Sequence, residues 1–498
     1  MTDTLESFMV IQTEFYYMLT IALMFLIHVG FCMYEVGASR HKNHLHTLAK
    51  NTLLIPVITV TFYLFGWWLY FALPNGPGIT GGLVDAPWAI GWSELMAPHM
   101  GGAPLSPDLT ADDTLGWARI NGVFFGAFLL FSWTVGSIIS GGCIEHIKTS
   151  AFLILAVAVG TVLWTIDASW GWHPEGWMVQ ILGYHDSYAS GVVHAITGGF
   201  ALGVLIVLGP RLGKFAADGT PQNISPHNPW LVTIGLFLIF TGFWGFYAAC
   251  NTPMVDVQEG EGVFYSAVTI YGNPVTLSGL SINFLMSLSG GLLMGYTVSK
   301  GDVFWIYSGG LGGVITASAA NDLYHPVQAM LVGASGTWMI YKLHYWVERK
   351  FKIDDPVGCI AVHGYAGVIG LLFAGFLLWG YPSSPNPDYA SINPLGQLIG
   401  AIIMFVVLGF IPGWILAKIL QAIGILRVPW QVELAGLDIR EEEHERIDRE
   451  AFETEERAAA VAKAGTGGSS ASDVTAILNH RKRITAGELG ISASEAGE

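Results

Sequence analysis

The chain has 498 residues, of which 52 % are hydrophobic and only 12 % charged, and it carries a formal net charge of −16. Soluble domains average about a quarter charged residues, so this composition excludes an ordinary globular protein and makes lipid the solvent for most of the chain. The acidic residues gather between Asp85 and Asp113 and again after Arg440, a balance that argues against a nucleic-acid partner.

A membrane-spanning helix needs roughly 20 mostly apolar residues. About eleven stretches meet that requirement, the first running from Phe15 to Tyr34 and the last from Leu395 to Leu416. No basic leader with a small-residue cleavage site precedes the first stretch, which reads as a retained span that doubles as the targeting signal. Cys32, Cys143, Cys250 and Cys359 all fall within apolar runs, a placement that suggests neither a disulfide framework nor a zinc cluster. Residues 1–14 read as an external segment, 15–426 as the membrane domain, and 427–498 as a tail.

Basic residues alternate along the chain. They follow the first span (Arg40, Lys42, Lys50), the third (Lys148), the fifth (Arg211, Lys214), the seventh (Lys300), the ninth (Lys342, Arg349, Lys350, Lys352) and the eleventh (Lys418, Arg427), with Arg119 as the exception. Cytoplasmic loops are the ones enriched in Lys and Arg, so the N-terminus is expected outside, the C-terminus inside, and the number of spans odd.

The two halves of the chain share a motif. Asp186 precedes His194 by eight positions in a VVHAITG segment, and Asp355 precedes His363 by the same distance in AVHGYAG, with a glycine four residues after each histidine. The two segments start on opposite sides of the membrane, so spans 1–5 and 6–10 read as an inverted repeat with its site near the midplane. At 1.5 Å per residue, each histidine is expected roughly 12 Å below an aspartate that opens its helix, near the centre of a ~30 Å slab. Ionisable residues at that depth are costly and mark a pathway by default. Asp355 reads as a helix cap; for Asp186, capping and a role in conduction are both open.

The segments SGVVHAITGG and DDPVGCIAVHGYAG resemble signatures of the ammonium transporter family (Amt/Mep/Rh). RHKN and Lys50-Asn51 after the first span, SGGCIEHIKTSAFLI, GPRLGKF with HNPW, GFWGF, and LRVPWQVELAGLD follow in family order, covering about residues 14 to 439. The resemblance implies an all-α homotrimer, each subunit with its own pore through eleven helices. It implies His194 and His363 as paired pore histidines, Phe131 and Phe246 as a stacked phenyl gate, and Trp172, Cys250 and Asp186 at the outer recruitment site. A PII-type nitrogen regulator at the cytoplasmic face is a further implied partner. No cofactor and no enzymatic activity are expected, since two histidines without a third ligand make a poor metal site.

Elementary chemistry fits these roles. A partly desolvated cation over an aromatic face gains about 1–2 kcal/mol. Neutral imidazoles bonded ring to ring still offer a donor or acceptor to ammonia. A full charge in the dry segment between them pays heavily, which favours separating ammonia from its proton.

Several positions depart from the family pattern. Ala127 stands where a second phenyl is common, with Phe124 and Phe128 nearby. His146 replaces an Arg, Tyr247 an Asn, and Cys250 a small hydroxyl residue. An HPEG insertion follows Trp172, which makes Trp170 and Trp177 alternatives to it. The tail turns to a charged stretch, 441–457, read as a solvated helix face, then to a GTGGSSAS linker and a basic segment at Arg481, Lys482 and Arg483. An ammonium sensor with little flux and a neutral ammonia channel are the rival readings.

Overall fold

The computed structural model describes residues 2–76, Ile90, 113–253 and 266–438, with side chains described for 8–76, Ile90, 122–253 and 266–438. The acidic segment from Asp85 to Asp112 apart from Ile90, the side chains of Asp113 and Arg119, the stretch 441–457, the linker and Arg481 to Arg483 lie outside the described residues.

The described chain is mostly helical. Helices α1 (Phe8–Ala38), α2 (His41–Ala72), α3 (Gly122–Gly142), α4 (Thr149–Gly171) and α5 (Ser190–Leu208) form the first half. Helices α6 (Pro229–Ala249), α7 (Leu277–Ser299), α8 (Val303–Ala317), α9 (Pro326–Phe351) and α10 (Cys359–Leu377) form the second, and α11 (Pro394–Ala422) follows. Among the described residues, nine of these are long and apolar enough to cross a membrane. Helix α8 is apolar but shorter, and α9 carries Lys342, Glu348, Arg349 and Lys350 in its second half. A three-stranded antiparallel patch, β1 (Asn251–Pro253), β2 (Ala267–Thr269) and β3 (Pro274–Val275), decorates the α6–α7 connection.

The burial pattern suits a lipid solvent. Phe15, Met18, Trp230, Phe237, Leu293 and Phe376 face outward, whereas Glu35, Lys50, Asp167, Asp186 and His194 are buried. Water cannot satisfy the backbone in hydrocarbon, so helices are the form that such segments take. Without a hydrophobic drive between them, helices in lipid associate through small residues that let backbones approach. Helices α1 and α6, the first of each half, cross in this way: a Cβ on Gly30 would lie 2.5 Å from the Gly235 carbonyl.

Buried ion pairs tie the connections together at one end of the bundle. Arg211 of the α5–α6 connection grips Asp354 through Nε at 2.8 Å and Nη2 at 3.1 Å, and reaches Glu145 at 3.3 Å. Arg40, after α1, pairs with the same Glu145 carboxylate at 2.8 Å. Burial by itself raises both carboxyls, but Arg211, joined by Arg40 at Glu145, more than offsets it and holds each below its ordinary range. A short helix, α12 (Trp430–Ala435), docks here: Glu433 accepts from the Leu212 amide at 2.6 Å and from Arg427 at 2.7 Å.

Candidate functional site

The two histidine segments are built alike. Each helix begins with a wide, π-type turn, Ser190–Ala195 and Cys359–Tyr365, entered through a left-handed residue, Ala189 (φ 74°) or Gly358 (φ 75°). The Asp186 carboxylate accepts from the Gly191 and Val192 amides at 2.7 and 2.9 Å. Asp355 does the same with Ile360 and Ala361, at 2.9 and 3.2 Å. Both aspartates therefore cap, one oxygen each taking the amides five and six residues on, and neither opens its helix: the helices start at Ser190 and Cys359. The expected 12 Å of continuous helix between aspartate and histidine is corrected accordingly, because the left-handed residue breaks the rise. Burial pushes Asp186 up to about 6 and Asp355 up to about 7, with the amide donors pulling both back.

Glycine brings the two segments together. A Cβ on Gly198 would sit 2.1 Å from the Gly364 Cα, and one on Gly367 would sit 2.1 Å from the Ser190 carbonyl. Backbones touching at these points leave His194 and His363 with their Nδ1 atoms 3.0 Å apart. One imidazole donates and the other accepts across that gap. His194 Nε2 is buried and has no bonding partner among the described residues.

From this pair a continuous file of rings leads in one direction. His194 stacks on Phe246 at 5.7 Å, Phe246 meets Phe131 edge-on at 4.6 Å, and Phe131 meets Trp172 at 5.0 Å. On its other side the pair meets Phe31, 6.2 Å from His363, and both rings line a cavity of about 10 Å³ together with Tyr34, Ser308, Val357 and Cys359. That volume has room for about one water-sized molecule.

Of the residues singled out in the sequence, His194, His363, Phe131, Phe246 and Trp172 join this file. Trp172 is fully buried at the end of α4, its indole N–H donating to the Asp186 carbonyl at 2.6 Å. Trp170 and Trp177 pack on each other, 5.8 Å apart. Cys250 is buried, its thiol donating to the Phe246 carbonyl at 3.3 Å. Beside Ala127, Phe128 fills in, 5.7 Å from Phe131 and 6.0 Å from Trp172. Tyr247 is stacked on Tyr188 at 4.4 Å and bonded to Ser318 at 2.6 Å.

Sequence reasoning missed the scaffold around the file. Phe31, Phe243, Tyr184, Tyr271 and Asp167 all stand there. Tyr184 donates to Asp186 at 3.1 Å, and Tyr271 receives the Asp186 amide at 3.1 Å while donating to the Gly171 carbonyl at 2.7 Å. With 13 % aromatic residues in the chain, no single Tyr or Phe stands out in the sequence. Asp167 did carry a signal, as an acid within the apolar stretch of α4.

This fold and site define a multi-pass α-helical membrane protein with a narrow, ring-lined interior closed around two bonded histidines. The profile of the Ammonium Transporter Family matches residues 15–447. The chain belongs to that family. It is similar to ammonium transporter Amt2 of Archaeoglobus fulgidus, 29 % identical over 447 residues and covering 84 % of each chain. Ammonium transporter 1 member 3 of Solanum lycopersicum is 27 % identical, with 85 % of this chain and 90 % of that relative covered. Among solved structures, one titled Sensor Amt Protein aligns with a TM-score of 0.68 at 22 % identity, over 88 % of this chain and 99 % of that one. Saccharomyces cerevisiae Mep2 aligns with a TM-score of 0.63 at 18 % identity, over 84 % and 87 %. These structural likenesses bear on the fold.

Proposed function

We propose that this protein takes up ammonium by conducting ammonia and its proton, together or apart, along the file of rings that ends in the His194–His363 pair. The observation that carries the reading is that pair, two imidazoles bonded at 3.0 Å inside an apolar sheath. Trp172, Phe131 and Phe246 present aromatic faces and edges to an arriving cation, and Phe131 and Phe246 act as the gate. Asp186 holds the site together through its cap, and Cys250 serves through the Phe246 carbonyl. Sodium would lose more water at such faces than they return, so the file selects ammonium. A full charge between the histidines has no counter-ion, so ammonia crosses there as a neutral molecule.

Adding α8 and α9 to the nine apolar spans gives eleven crossings, an external N-terminus and a cytoplasmic C-terminus, within a membrane domain at 15–426 and a tail at 427–498. Support for an inverted repeat comes from the matching caps of Asp186 and Asp355. The functional unit in this reading is a homotrimer whose cytoplasmic face is open to a PII-type regulator.

The test is ammonium-evoked current in proteoliposomes on a solid-supported membrane, read together with internal pH, for wild type, His194→Ala and His363→Ala. Current lost or made unselective in the variants is the expected result. Alkalinisation without current would replace this reading with neutral gas conduction, and ammonium binding without either signal would replace it with sensing.

A further inference from the structure

Asp167 is the least satisfied group in the described structure. It is fully buried, and neither carboxylate oxygen has a hydrogen-bond partner. Nearby atoms share the condition: Asp186 Oδ1, Ser169 Oγ and Trp164 Nε1 are buried without partners as well. A buried carboxylate that meets no donor is strongly penalised unless a cation or proton satisfies it. Cores that need an acid only for structure surround it with donors. The Asp354 and Glu145 carboxylates of this same chain are treated that way.

Its position follows from its neighbours on α4. Trp164, one turn before it, lies 6.3 Å from Phe131. Gly171, one turn after it, faces Tyr184 and Val192, where a Cβ would meet their side chains at 3.1 and 3.3 Å. Tyr184 and Val192 are themselves partners of Asp186. Asp167 thus lies on the face of α4 that runs from the phenyl pair to the Asp186 loop. The titratable groups there are Asp186 and Tyr184, while α3, α5 and α11 present Phe128, Phe131, Val192 and Met404.

We propose that Asp167 is a second acidic site of the transport route, which accepts the proton that ammonium gives up beside Phe131 and Trp172. In this step an N–H bond of ammonium breaks with its electron pair left on nitrogen, and the proton forms an O–H bond on Asp167. The carboxylate charge is thereby neutralised, and ammonia passes on toward His194. Asp186, committed by one oxygen to the α5 amides and by its carbonyl to Trp172, positions the loop and offers Oδ1 as the next acceptor. The assignment rests on the transport reading above.

The test compares wild type, Asp167→Asn, Asp167→Glu and His194→Ala by ammonium flux in proteoliposomes across external pH, read as current and as internal pH. Asp167→Asn keeps the volume and removes the proton site, so a tenfold or greater fall in flux and a flattened pH profile are expected, with Asp167→Glu restoring most of both. Wild-type-like flux and pH profile in Asp167→Asn overturn the assignment while leaving the transport reading intact. A wild type without flux overturns both. Should Asp167→Asn fail to fold, infrared difference spectra of Asp167→Glu and wild type decide. Ammonium should alter a protonated-carboxyl band that shifts between the two, and the absence of such a band overturns the assignment.

Discussion

Substituting Gly198 by Ala tests whether the crossing of α5 and α10 sets the histidine pair. The new methyl would lie 2.1 Å from the Gly364 Cα and 2.2 Å from its nitrogen, where ordinary contact begins at 3.4 Å. Both obstacles are backbone, so no rotamer change relieves them, and the helices must part by about 1 Å in a close-packed interior. His194 and His363 are bonded at 3.0 Å, and a displacement of that size carries the pair beyond the ~3.2 Å at which such bonds are normally made. Overpacking of this kind costs about 1–3 kcal/mol, more than the ~1 kcal/mol that Ala gains over Gly in a helix. A misplacement of ~1 Å at a reacting geometry is worth up to about a hundredfold in rate, so ammonium flux should fall at least tenfold. Gly122→Ala is the control, because nothing among the described residues lies within 4 Å of its Cβ position. It should leave flux unchanged and raise stability by up to ~1 kcal/mol. The assay is thermal unfolding in detergent beside flux in proteoliposomes. A Gly198→Ala protein that melts and conducts like wild type would refute the reasoning.

Three other outcomes can be checked. Arg211→Ala strands the buried Asp354 carboxylate, leaves Glu145 to Arg40 alone, and should lower stability by about 3–5 kcal/mol, seen as an earlier thermal transition. Stability should also fall on both sides of neutrality. Glu145 and Asp354 are held below their ordinary range, so what they contribute is present above about pH 5 and is lost as pH drops through the carboxylate range. His185 runs the opposite way: burial lowers it, but Asp322 at 3.1 Å more than compensates, so its contribution is present below about pH 6.5 and fades as pH rises past its elevated value. A melting profile in which Asp322→Asn leaves the alkaline limb unaltered would contradict that assignment. Phe131→Ala removes a fully buried ring and should cost about 3–5 kcal/mol while admitting larger monovalent cations, which bi-ionic currents would reveal.

Much was legible in the sequence because lipid imposes simple rules. Composition and apolar run length announce a multi-pass helical protein, and the shared spacing of Asp186–His194 and Asp355–His363 marks two equivalent segments before any coordinate is known. Helix α9 is harder to read, since its charged second half lowers its hydropathy.

What the linear chain determines is which residues are too costly to leave in lipid without a reason: His194, His363, Asp186 and Asp167. Tertiary structure alone decides what they meet. The left-handed residues at 189 and 358 turn the aspartates into caps, and the contact of Gly198 with Gly364 brings two rings 169 positions apart to 3.0 Å. Packing also selects Trp172 over Trp170 and Trp177, sets Phe128 beside Ala127, and spends the Cys250 thiol on a carbonyl. Spacing along a helix encodes depth and face, whereas partners from other helices depend on how closely backbones approach, and that distance is written in no single segment.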